Sequence, residues 1–231
     1  MFHQASYPSL LIFLLVCTFI ITAFLRGIWI SAQPQGRDPL HLTLWTGLGL
    51  LLWLAATGGL VASGWLEGGP QRLIVLGGAT MAGSLILGFS PMGKWLAVAV
   101  SIPWLLAFQG FRLPLEWVLH SWVHQGVIPE TMTWTGSNWD ILSGIAALGL
   151  APFGRRMRAA AWVGNIIGVI LLINVVRVAT FSAPLPFGWQ DVSPKLLLAY
   201  HLPYALIVPV CIGGALAGHV ILTRALLRPK P

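Results

Sequence analysis

Charge is what this chain has least of. Only 8% of its 231 residues are Asp, Glu, Lys or Arg, against 57% hydrophobic. A soluble domain carries about 25% charged residues to keep its surface wetted, so the composition excludes a protein whose whole surface faces water. Acidic residues are the scarcest, six against thirteen basic ones. Cysteine is nearly absent: Cys17 and Cys211 each sit inside an apolar run, with no CxxC or His/Cys cluster. That argues against a zinc knuckle or a disulfide framework and leaves buried structural thiols as the expectation. The first apolar run lacks a basic segment before it and a small-residue cleavage site after it, so a retained helix is expected there.

Long apolar runs are abundant instead. A helix needs about 20 apolar residues to cross the hydrocarbon core, and seven candidate runs follow one another. They cover about Pro8–Leu25, Leu40–Ala62, Leu73–Phe89, Trp95–Phe108, the short Ile141–Phe153, Ala159–Phe181 and Leu198–Thr223. The expected fold is all-α, a polytopic transmembrane helical bundle of about seven spans plus one interfacial or re-entrant helix. Residues 1–231 read as a single integral membrane domain. The net charge of +7 then calls for anionic lipid headgroups and helix orientation, not nucleic acid. Arg155, Arg156 and Arg158, with Arg224, Arg228 and Lys230, mark one side as cytoplasmic by the positive-inside rule. Alternation puts the N-terminus outside and the C-terminus inside. Every acidic residue except Asp38 then falls outside. Gly164-x-x-x-Gly168 and Gly214-x-x-x-Gly218 fit close packing of membrane helices.

Polar residues within or beside the apolar runs carry the functional signal, because a bilayer excludes such groups unless they are paired or used. Arg112, Glu116, His120 and His124 follow at spacing four, which places them on one helical face. Pro114 suits a first helical turn. Trp117, Val118, Trp122 and Val123 occupy the opposite face. The pattern predicts an amphipathic helix at the outer interface. Its ladder has three readings: a solvated face with an Arg–Glu pair, an acid–base or substrate-binding surface, and a zinc site. Two histidines at i, i+4 can share a zinc ion with Glu116 as a third ligand. The text is not His-Glu-x-x-His, and three ligands spread over two turns suit one ion poorly, so no metal is assigned.

The next segment, Thr131 to Asp140, alternates Thr and Trp and reads as a short extended or re-entrant strand, tolerated at membrane depth only inside protein or a watery cavity. Asn138 and Asp140 stand at the mouth of the short fifth run, where a helix cap accounts for one of them. In the sixth run Asn174 and Arg177 share a face at i, i+3, with Arg177 near enough to the outer end to snorkel. Tyr200, His201 and Tyr204 open the seventh run, while His41 and His219 read as structural. No charged pair is expected at mid-height, which argues against a transporter.

The order Leu142-Ser143-Gly144-Ile145, then Asn174-Val-Val-Arg177, then His201 resembles the exosortase/archaeosortase family of membrane transpeptidases over roughly residues 108–205. Pro114…Gly126-Val-Ile-Pro129 is similar to the segment preceding that family's cysteine. The text around Phe111–Glu116 and Met132–Gly144 also looks like that of bacterial membrane proteins without an assigned activity. The exosortase resemblance implies an inner-membrane protein that cleaves or binds the tail of an exported protein, with an arginine and a histidine beside a thiolate. Leu142 stands where the cysteine belongs, so thiol chemistry is not expected. Asp140, Arg177 and His201 are then the candidate catalytic groups, expected to converge. Arg112, Glu116, His120, Asn138 and Asn174 are the candidate substrate-binding groups. The alternatives are a non-catalytic assembly subunit that binds peptide, lipid or glycan, working with other membrane subunits, and a metal-dependent hydrolase built on His120 and His124.

Overall fold

The computed structural model describes residues 2–154 and 156–229, so Arg155 and Lys230 of the basic clusters lie outside the described residues. Every regular element among them is helical. Five helices are long and apolar enough to cross a membrane: α1 (Tyr7–Ala32), α2 (Pro39–Ala62), α3 (Pro70–Phe89), α7 (Arg158–Ser182) and α8 (Tyr204–Leu227). A sixth crossing is counted if α4 (Pro91–Ala99) and α5 (Ile102–His124), bent by 114° to each other, form one broken span. The short apolar α6 (Ile141–Phe153) completes the set.

The helices start where local chemistry dictates. Proline opens α2, α3 and α4, where a missing N–H costs nothing. Asp38 caps α2 by accepting from the Leu40 N–H, and Ser90 caps α4 by accepting from the Gly93 N–H. Many large apolar side chains face outward, among them Leu11, Leu15, Leu51, Leu52, Ile86 and Ile170. Apolar exposure on that scale needs an apolar solvent or a partner. The main core gathers Phe13, Phe111, Trp122, Leu172 and Tyr204 between α1, α5, α7 and α8.

Side-chain contacts define two ends. At one end the Ser6 N–H donates to Gln125, the Ala5 N–H to the Tyr204 hydroxyl, and Thr131 meets Ser182. At the other, Arg158 donates to the carbonyls of Ala225 and Leu226, Arg224 to those of Gly88 and Ser90, and Arg37 lies over Trp95.

Three elements differ from the sequence reading. The expected fourth span, Trp95–Phe108, crosses the break between α4 and α5, because Val100 and Ser101 are extended ahead of Pro103. The expected interfacial helix is not separate: it continues the preceding Ile102–Phe108 helix as one rod, α5, about 34 Å long at about 1.5 Å per residue. Pro114 lies inside this rod. The chain passes it through a tighter 3₁₀ turn at Gln109–Phe111, one turn earlier, where the carbonyl that proline cannot serve would fall. The segment Thr131–Asp140 is a 3₁₀ turn at Glu130–Met132 followed by further turns, not a strand. Two of its hydroxyls bond locally, Thr133 to the Glu130 carbonyl and to Thr135, which closes turns in place of a ladder.

Candidate functional site: a buried charge cluster beside an apolar recess

Arg112 stands halfway along α5 and points inward, only 2% exposed. Its Nε lies 2.9 Å from Asp140 Oδ2. Its Nη1 donates to the Ser143 hydroxyl and to the Gly168 carbonyl (2.9 Å), and meets His219 Nε2 at 3.3 Å. Four segments therefore converge on one guanidinium. Glu116, one turn further along α5, accepts from Asn138 Nδ2 at 2.9 Å, and Asn138 Oδ1 accepts from the Asp140 N–H. His219 Nδ1 pairs with Asn165, which donates to Thr223. The result is a continuous polar thread from Glu116 to Thr223 inside an otherwise apolar bundle.

The loop between α5 and α6 makes this convergence. It turns back from His124 and delivers Asn138 and Asp140 to the level of Arg112, where α6 begins. Asp140 occupies the N-cap position of α6, but its side chain makes no cap bond and goes to Arg112. The cap reading fails because the carboxylate is turned toward the full positive charge of Arg112, which outweighs the partial charge of the helix N-terminus. The Ser-Gly pair has a physical reason too. Ser143 hydrogen-bonds Arg112, and a Cβ on Gly144 would lie 2.6 Å from the Leu113 backbone nitrogen, so only glycine lets α6 approach α5 this closely. A Cβ on Gly168 would overlap the His219 ring.

A recess of about 340 Å³ borders the cluster, lined by α3, α5, α7 and the chain from Leu196 to Ala215. Its walls are apolar except for Arg112, Glu116, Asp140 and two threonines. One wall is the irregular start of α8, where Val208–Ile212 forms a π turn containing Pro209. Such bulges mark functional sites often enough to be noted. Three buried polar atoms of the cluster have no partner within the protein: Glu116 Oε2, Asp140 Oδ1 and Arg112 Nη2.

The sequence-expected site residues divide into three groups. Arg112, Glu116, Asn138 and Asp140 come together. Asn174 and Arg177 sit apart from them but touch the same loop: Asn174 donates to the Ser137 carbonyl (2.8 Å) and accepts from Arg177 (2.8 Å). Arg177 is otherwise exposed, over the Trp189 ring. His201 stacks on Phe2 at 4.0 Å in a small separate pocket with Tyr200 and Tyr204. Burial holds its imidazole below the usual range, against the opposing pull of Glu67. The expected Asp140–Arg177–His201 cluster is thus corrected: Arg112, not Arg177, pairs with Asp140, and His201 has other neighbours. The pair itself is not expected: the sequence reading places no charged pair between the ends of the helices, and Arg112–Asp140 lies about halfway along α5.

His120 and His124 do face each other, Nε2 to Nε2 at 3.1 Å, with His120 stacked on Trp134. Glu116 turns to Asn138, so the third ligand of the zinc reading is engaged elsewhere. Among the described residues no three His, Cys, Asp or Glu side chains are grouped for a metal ion. Leu142 is half exposed, on the side of α6 away from Ser143's contacts. Trp122 is fully buried against Phe13 and Tyr204 and donates to Ser9.

Sequence reasoning missed Ser143, Asn165 and His219 as partners of the cluster. Asn165 and His219 carried the same signal as Asn174, a polar side chain within an apolar run. What the sequence could not supply was the rotation that aims His219 at Arg112 and Asn165 at His219. Comparison with protein-family models, curated proteins and solved structures gives no match to this chain.

Proposed function

We propose that the chain is a polytopic inner-membrane protein whose recess holds part of the apolar segment of an exported protein, presenting it to the Arg112–Glu116–Asp140 cluster. The exosortase resemblance supplies the substrate class. The observation that supports the reading is the cluster itself: three ionisable side chains buried halfway along the helices, each with an unpartnered atom, and all lining an apolar recess. A purely structural ion pair satisfies its own hydrogen bonds, since each buried unsatisfied group costs about 1–3 kcal/mol. Catalysis through a thiol is not part of the proposal: Leu142 stands where the resembled family has its cysteine, Cys17 is buried in the main core, and Cys211, which borders the recess, is itself buried.

The test uses the full chain in phosphatidylcholine nanodiscs. Ala199, which lines the recess, is changed to Cys on a Cys17→Ala, Cys211→Ala background and titrated with a small methanethiosulfonate. An apolar 20-residue helical peptide with a central Met should slow modification, and a Leu15→Cys control on the outward face should be unaffected. Equal rates with and without peptide would remove the reading. The mid-height charged pair favours one second reading, a transporter. Peptide-independent, Asp140-dependent solute uptake into proteoliposomes would select it.

A further inference from the structure

Among the described residues, the only charged groups lining the recess are Arg112, Glu116 and Asp140, set among apolar side chains of α3, α5, α7 and the start of α8. The part of a bound segment that meets them is a side chain, reaching in while the segment lies across the mouth. Leu172, Leu198 and Ile207 offer that side chain an apolar sleeve, and Arg112, Glu116 and Asp140 stand at its polar wall.

Charge decides what the tip of that side chain must be. Two carboxylates and one guanidinium sum to one negative charge, buried to 4% exposure or less. Asp140 is matched by Arg112 at 2.9 Å, while Glu116 has only the neutral amide of Asn138. An unmatched charge in an apolar interior is expensive until a counter-charge or a proton arrives. The unpartnered acceptors are Glu116 Oε2 and Asp140 Oδ1, and both residues line the recess. A compact ammonium on a flexible four-carbon stem fits both demands, with its stem in the sleeve and its three N–H donors toward the carboxylates. We infer that the recess is a selectivity site for a lysine side chain carried within the apolar segment of the bound protein. Docking that ammonium brings the buried cluster to neutrality, so the site reads a basic residue at the one depth where a bilayer most disfavours it.

This inference rests on the binding reading above, and the same protection assay separates the two. Three apolar 20-residue peptides are compared on Ala199→Cys in phosphatidylcholine nanodiscs, differing only in a central Lys, Met or Glu. The Lys peptide should protect at a peptide-to-lipid ratio at least tenfold below that of the Met peptide, and the Glu peptide should be the weakest. In Glu116→Gln the ratio of Lys-peptide to Met-peptide protection should fall to less than twofold. Equal protection by Lys and Met peptides on the unmodified cluster overturns the inference and leaves the binding reading standing. Protection by none of the peptides overturns both. Protection without peptide when phosphatidylethanolamine replaces phosphatidylcholine would assign the site to a lipid ammonium and overturn the inference as stated. The wild-type cluster alone decides the peptide comparison, so it survives even if Glu116→Gln does not fold.

Discussion

Arg112 and Arg177 show how differently one residue type behaves in two settings. Arg112 is enclosed and meets Asp140, Ser143, Gly168 and His219, whereas Arg177 is exposed and meets Asn174 and the Trp189 face. Removing one partner of a buried ion pair strands the other charge and costs about 3–5 kcal/mol, while replacing both by apolar residues of similar volume is far less costly. Arg112→Ala and Asp140→Ala should therefore each lower the melting temperature strongly in detergent. The Arg112→Met, Asp140→Leu double variant should recover most of that loss. Arg177→Ala should stay within about 0.5 kcal/mol of wild type, as surface changes usually do. Calorimetry on the four proteins checks this, and additive losses in the double variant would show that the two side chains are not coupled. The His120–His124 pair makes a second residue-scale case. Two ligands without a third hold zinc weakly, so chelator treatment should leave the melting temperature of purified protein unchanged. A chelator-induced drop restored by zinc would revive the metal reading.

Among the elements, α5 and α6 show what a sequence carries and what it withholds. The spacing of Arg112, Glu116, His120 and His124 identified a polar face, and the structure confirms one face at its inner half. Periodicity tells which residues share a face but not what meets it. Here the returning loop, α7 and α8 supply partners, so the Arg112–Glu116 half of a stripe that reads as interfacial is buried in the bundle while His124 stays exposed. Pro114 looked like a helix start because a proline inside a helix normally breaks it, and the local 3₁₀ turn that absorbs it leaves no trace in composition. Asn138, Asp140, Arg112 and Glu116 were legible as candidates, since each is a polar residue beside long apolar runs. Their pairing was not legible, because it depends on a loop returning to mid-height. Gly144 and Gly168 give the testable side of this packing. Leu at either position must push α6 off α5, or displace the His219 ring, and overpacking of this kind costs about 1–3 kcal/mol. Gly144→Leu and Gly168→Leu should lower thermal stability by that order. Gly49→Leu, where a Cβ meets nothing within 4 Å, should not.

At the scale of the whole molecule, Arg37, Arg158, Arg224 and Arg228 gather at one end and the cluster lies between the ends. Gln125 sits at the end where α1 begins, and Arg228 sits at the other. On the cysteine-free background, Gln125→Cys and Arg228→Cys should be labelled by an impermeant maleimide from opposite sides of the membrane, Gln125→Cys from outside. Labelling of both from one side would contradict the arrangement of the ends. The deeper claim is that the charge cluster occupies the middle of a bilayer rather than its edge. The outward face of α7 offers the ruler: Val163, Ile166, Ile170 and Ile173 are all exposed, and Ile170 stands two residues from the Gly168 carbonyl that Arg112 holds. Nitroxides placed at these four positions in lipid vesicles report depth by their relative accessibility to oxygen and to a water-soluble nickel chelate. The oxygen preference should peak at Ile166 or Ile170 and decline toward Val163 and Ile173. A preference still rising at either end of the series would place Arg112, Glu116 and Asp140 near a headgroup layer, and would contradict a buried mid-membrane site.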